Sequence, residues 1–128
     1  MFIRFVVSML GLRSGRRQGL FQASADLRDT HALRDHEESR LQEIRYWFNK
    51  YLEKPSRMSL SPRPHAKDQE LSWFKDTAAE DISQMRAFAA ILELHDIQVE
   101  IIKTDRPGYI FYEDDFQVAA YLFADTVT

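Results

Sequence analysis

The residue types best suited to chemistry lie in three places. The first is Gly11-Leu12-Arg13-Ser14-Gly15-Arg16-Arg17-Gln18-Gly19, which follows the strand-like run Phe2–Ser8 and precedes a helical pattern. A glycine-rich loop between strand and helix can aim backbone amides at an anion, and a helix N-terminus favours negative charge. Arg13, Arg16 and Arg17 would add planar paired donors for a phosphate or carboxylate. The spacing matches neither a Walker loop nor a dinucleotide fingerprint, so the segment reads either as an anion cradle or as a solvated basic turn. The second place is Arg63-Pro64-His65-Ala66-Lys67, leading into Leu71-Ser72-Trp73-Phe74-Lys75. Arg63 and Lys67 beside an aromatic could hold a base or a single strand by stacking plus phosphate contact. The alternative is a linker into a helix that buries Trp73 and Phe74, and burial is the better expectation for both. The third is Glu113-Asp114-Asp115, where Glu113 or Asp115 could handle a proton or a hard cation. With no fourth ligand in the sequence, a solvated acidic turn that discourages edge pairing is the plainer reading.

Other chemistries are absent from the sequence. With no cysteine there is no thiolate nucleophile, Cys-ligated zinc, iron–sulfur cluster or disulfide. His31 and His36 are five apart rather than at the helical zinc-pair spacing, and neither a Gly-x-Ser-x-Gly elbow nor a His-Glu-x-x-His run occurs. No metal site and no cofactor is expected. His95 falls near the end of a helical pattern, where a helix C-terminus attracts positive charge.

These residues must be positioned by a chain of 128 residues, the size of one domain. Apolar residues make up 45% and charged residues 29%, which excludes disordered and fibrous classes. The net charge of −3 is unevenly spread. Residues 1–34 carry six arginines against two acids, and 54–67 carry four basic residues and no acid. Residues 93–128 hold eight acids against Lys103 and Arg106. The segregation either serves an anionic partner or neutralises itself across a fold or dimer interface. The first 25 residues lack acids, as transit peptides do, but their strand composition makes them part of the fold. No apolar run reaches the roughly 20 residues needed to span a bilayer, and a cytoplasmic location is expected.

Hydrophobic periodicity places the elements. Phe2–Ser8 reads as a strand and Arg17–Asp29 as a short helix with Leu20, Phe21, Ser24 and Leu27 inward. Asp35 and Glu38 suggest a capping box opening a helix over Glu37–Glu53, with Leu41, Ile44, Phe48 and Tyr51 as its apolar stripe. Residues 54–67, with Pro55, Pro62 and Pro64, form a basic connector within a single domain, 1–128. Leu71, Phe74, Ala78, Ile82, Met85, Ala89 and Leu92 mark the longest helix, capped at Ser72 or at Thr77. From Ile97 the period becomes two: strands at Ile97–Ile101, Tyr109–Tyr112 and Phe116–Phe123 flank turns at Asp105–Gly108 and Glu113–Asp115. The expected fold is α+β in the order β-α-α-α-β-β-β, an antiparallel sheet with a C-terminal three-stranded meander and helices on one face.

Arg4-Phe5-Val6, Gly19-Leu20-Phe21-Gln22-Ala23, Leu71-Ser72-Trp73-Phe74-Lys75, Arg106-Pro107-Gly108-Tyr109, Tyr112-Glu113-Asp114 and Gln117-Val118-Ala119 together carry a resemblance. Along essentially the whole chain the sequence resembles an uncharacterised family of small bacterial proteins. That resemblance implies a bacterial source and no particular activity. In that pattern an acidic residue and a proline precede the final Phe. Here Ala120-Tyr121-Leu122 precede Phe123, so the last strand is expected to run longer.

Two functional classes follow. The first is a non-enzymatic module that binds a protein partner, or itself as a homodimer, through surplus aromatics such as Tyr46, Trp47, Tyr51, Tyr109 and Tyr121. The second is an anion-directed protein, a nucleic-acid binder or nucleotide-processing enzyme, using Arg13, Arg16, Arg17, Arg63 and Lys67. No membrane partner is expected.

Overall fold

A computed structural model describes residues 1–10, 16–53 and 70–128. It is α+β, with three helices and one six-stranded antiparallel sheet. The elements run β1 (Phe2–Leu10), β2 (Arg17–Gly19), α1 (Leu20–Asp29), α2 (Asp35–Tyr51), β3 (Glu70–Lys75), α3 (Ala79–Glu93), β4 (Val99–Thr104), β5 (Tyr109–Glu113) and β6 (Gln117–Tyr121). The order is therefore β-β-α-α-β-α-β-β-β, with two strands beyond those expected. Among the described residues no helix is long and apolar enough to cross a membrane.

β1 organises the sheet. One of its edges pairs with β4 from Phe2↔Thr104 to Val7↔Val99. The other edge is shared: Phe2 and Ile3 pair with Lys75 and Phe74 of β3, and Val6 and Leu10 pair with Gly19 and Arg17 of β2. β3 continues to β6, and β6 to β5. Since β3 and β4 flank β1 and both oppose it, they run parallel to each other, joined by α3 as a split β-α-β unit. The expected meander is thus corrected. Of the three C-terminal strands, β5 and β6 form a hairpin, and β4 crosses to the far side of β1 instead of pairing with β5.

Alternation along the strands makes two cores. Ile3, Phe5 and Val7 face the helices and pack with Leu20, Ala23, Leu41, Ile44, Phe48, Met85, Phe88 and Leu92. Val6 faces the other way and packs with Trp73, Ile102 and Val118. Leu71–Lys75, expected to open the long helix, is instead the central strand β3. Trp73 and Phe74 point to opposite faces: Trp73 is only 1% exposed in the second core, and Phe74 packs against the first. Glu70-Leu71-Ser72-Trp73 alternates polar and apolar, but Leu71, Phe74 and Ala78 also fall at helical spacing and continue the stripe of α3, which is why the strand merged with that helix.

The helix boundaries also shift. Arg17–Gly19 pairs with β1, so α1 starts at Leu20. Arg34, rather than Asp35, caps α2, and its backbone N–H donates to Glu37 Oε1 at 2.9 Å. Arginine offers no acceptor, so only the glutamate half of a capping box is made. Tyr51 lies beyond the packed part of its stripe and is exposed. The last strand stops at Tyr121 and does not extend to Phe123.

Candidate functional site

The shared edge of β1 creates an opening. β3 leaves the ladder after Ile3↔Phe74 and β2 joins it only at Val6↔Gly19, so Arg4 and Phe5 pair with neither on that side. A cavity of about 390 Å³ fills the gap, within the size range of small-molecule pockets. Arg4 and Phe5 form one wall, Gly19–Gln22 another, Glu70–Phe74 a third, and the end of α2 closes it through Phe48, Leu52 and Glu53. Edge-to-face stacking fixes the aromatic wall: the Phe21 centroid lies 5.7 Å from that of Phe48 and 5.1 Å from that of Phe88.

Arg4 shares the face of Val6, an apolar face, and its guanidinium carbon sits 5.5 Å from the Trp73 ring centroid. Arg4 Nη1 and Trp73 Nε1 are both buried donors without a hydrogen-bond partner. Burial first, then the charges of Arg16 and Arg17, lower the Arg4 pKa to about 10. Arg4 is therefore still a cation at neutral pH, destabilised by its surroundings and stabilised by any anion placed beside it. Arg17 is tied down separately: it pairs with Glu100, and its Nε donates to the main-chain oxygen of Thr128 at 2.9 Å.

Of the expected anion-binding residues, Arg16 and Arg17 lie near enough to perturb Arg4 electrostatically. Arg13, Arg63 and Lys67, the outer part of the glycine-rich loop and the connector at 54–67 fall outside the described residues. Arg4 escaped notice because a lone charge in Phe2–Val7 looks like the solvent-side residue of a strand. The available signal was its parity with Val6 within an otherwise unbroken apolar run. Stacking of a base on Trp73 is ruled out by that ring's complete burial.

The acidic turn is arranged differently from expectation. Glu113 pairs with Lys75 at 2.6 Å, and Asp115 is exposed. The residue between them carries the structure. Asp114 Oδ1 accepts from the amides of Phe116 and Gln117 at 2.8 and 2.9 Å, and Oδ2 accepts from the Tyr112 hydroxyl at 2.8 Å. Burial works to raise the Asp114 pKa, but these donors together hold it below the usual range. The same bond to Asp114 pushes the Tyr112 phenol up to about 12. Gln117, buried beneath, donates to Asp114 and to the Glu53 carbonyl, so it clamps the end of α2 to the hairpin. Comparisons with protein-family models, with curated proteins and with solved structures find no match for this chain. Geometry alone must therefore indicate a role.

His95, expected only to complement a helix end, instead bridges helices: its Nε2 lies 3.0 Å from Glu37 Oε1. The backbone N–H of Arg34 first, and then His95, hold the buried Glu37 carboxyl below its usual pKa.

Proposed function

We propose that the chain is a non-enzymatic binding module whose cleft between β1, β2 and β3 takes the carboxylate of a small, largely apolar molecule. The observation that carries this reading is the pair of buried, partnerless donors, Arg4 Nη1 and Trp73 Nε1, contributed by two walls of the cavity with the guanidinium 5.5 Å from the Trp73 ring centroid. A carboxylate is acceptor-only when ionised and could satisfy both donors, while Phe21, Phe48, Leu52 and Phe74 would cover an apolar body. A pKa near 10 suits a fixed charge rather than a proton-transfer group, which supports binding over catalysis.

Titration calorimetry with hexanoate and phenylacetate, and with inorganic phosphate for comparison, tests the reading. The carboxylates are expected to bind and to raise the thermal midpoint, and Arg4→Met should lose about tenfold or more in affinity while remaining folded. Failure of both carboxylates to bind, or equal binding by Arg4→Met, overturns it. A second reading is self-association through β5. This is an edge strand whose Tyr109 is 66% exposed and whose Ile110 is also exposed. Light scattering that finds only monomer at micromolar concentration rejects that pairing.

A further inference from the structure

A second hollow, of about 610 Å³, lies between the end of α2, the start of α3 and the β5–β6 turn. Its walls are the rings of Trp47, Tyr51 and Phe116, and its polar groups come from Thr77, Glu80 and Asp81. Asp81 is only 4% exposed, and its Oδ2 is buried with no hydrogen-bond partner. A carboxylate oxygen buried without a donor is costly, and such groups persist where a cation completes them. We infer that this hollow is a binding site for an organic ammonium ion, with Asp81 as its counter-charge and the three aromatic rings as its walls. This inference does not depend on the carboxylate cleft.

The surrounding charges favour a cation. Burial first raises the Asp81 pKa, and the charges of Asp114 and Glu80 raise it further, so the local potential is negative. From α2, Lys50 already lies 5.3 Å from the Tyr51 ring centroid, which leaves Trp47 and Phe116 for the ligand. From β3, the Lys75 ammonium is engaged by Glu113 and does not neutralise Asp81. Glu53 and the exposed Asp115 are further acids around the hairpin, and Tyr112 stays neutral. Aromatic faces and a single carboxylate suit an organic ammonium group with an alkyl body better than a hard metal ion, which needs about six to eight oxygen ligands. The ammonium could belong to a free amine or to a lysine side chain.

The experiment titrates the intact protein with butylammonium chloride, and separately with a doubly blocked lysine, against matched sodium chloride. Binding is read from the Trp47 indole resonance, assigned by Trp47→Phe. Saturable movement of that resonance by either amine supports the site, and the blocked lysine tells which source it accepts. Asp81→Asn, nearly isosteric, should weaken binding at least about tenfold, as expected for removing one buried partner of a charge pair. Affinity should also fall on acidification, beginning above the ordinary aspartate range. If Asp81→Asn does not fold, Phe116→Ala, at a ring 43% exposed, should weaken binding several-fold. Absence of saturation, the same movement with sodium chloride, or an unaltered affinity in the folded variant overturns the inference.

Discussion

Glu37 and Asp81 are both buried carboxylates, and their surroundings push them in opposite directions. Glu37 is held below its usual pKa, so the unfolded chain takes up its proton first as pH falls. The stability it contributes is complete above the ordinary glutamate value and is lost as pH drops through the lowered native value. Glu37→Gln should therefore be less stable than the parent near neutrality, with the gap closing as pH falls below the ordinary glutamate range, as urea unfolding across acid pH will show. Asp81 has the opposite sign. Its raised pKa means that the native state binds the proton more tightly, and stability declines as pH rises from the ordinary aspartate value through the native one. Asp81→Asn should remove that decline and add about 1 kcal/mol at neutral pH, because an unsatisfied buried charge is gone. A variant that gains stability while losing ammonium binding would show that the carboxylate is kept at a cost to folding.

The ends of α1 and α3 show how elements are finished without glycine. His31 (φ 56°) and Asp96 (φ 61°) each adopt the left-handed conformation just past a helix. The Ala32 amide reaches back to Leu27 and the Ile97 amide to Leu92, which completes two reverse caps. His31→Gly, at an exposed position, should raise stability by about 0.5–1 kcal/mol by relieving this strain, as measured by chemical denaturation. Gly108 is the reverse case. At φ 132° a Cβ would lie 1.9 Å from the Tyr121 carbonyl oxygen, so Gly108→Ala should cost about 1–3 kcal/mol or more and loosen the β5–β6 hairpin. Local signals of this kind were legible: the α2 stripe at Leu41, Ile44 and Phe48, the Asp105–Gly108 connection and the β5–β6 hairpin all follow from near neighbours. Pairing between distant segments was not. Nothing in Val99–Thr104 announces that its partner is β1 rather than the adjacent Tyr109–Glu113, and the short alternation of Glu70–Trp73 was masked because Leu71 and Phe74 also fit the helical spacing of α3. The candidate cleft shared that fate, since it exists only because β2 and β3 divide one edge of β1.

For the whole molecule, the charge segregation is partly compensated. Arg17 of the basic N-terminal region pairs with Glu100 of the acidic region, Lys75 from outside both basic stretches pairs with Glu113, and Arg106 pairs with Asp125 inside the acidic region. Exposed pairs such as Arg106–Asp125 are each worth about 0–1 kcal/mol and are screened by salt. Raising ionic strength to about 0.5 M should thus shift the thermal midpoint little, since folding rests on the two cores flanking the sheet. Each cavity holds a buried charged group with an unbonded atom, the Arg4 guanidinium in one and the Asp81 carboxylate in the other, with Gln117 lining the first and hydrogen-bonded to Asp114 beside the second.

The central place of β1 also bears on how the protein is made. β1 leaves the ribosome before the strands that pair with it, and β4, which pairs with Phe2–Val7 along one of its edges, emerges almost a hundred residues later. Until then a strongly apolar ribbon has no hydrogen-bonding mate along that side. Nascent chains paused after Glu93 should remain protease-sensitive and prone to chaperone capture, with protection arriving abruptly once Val99–Thr104 clears the exit tunnel.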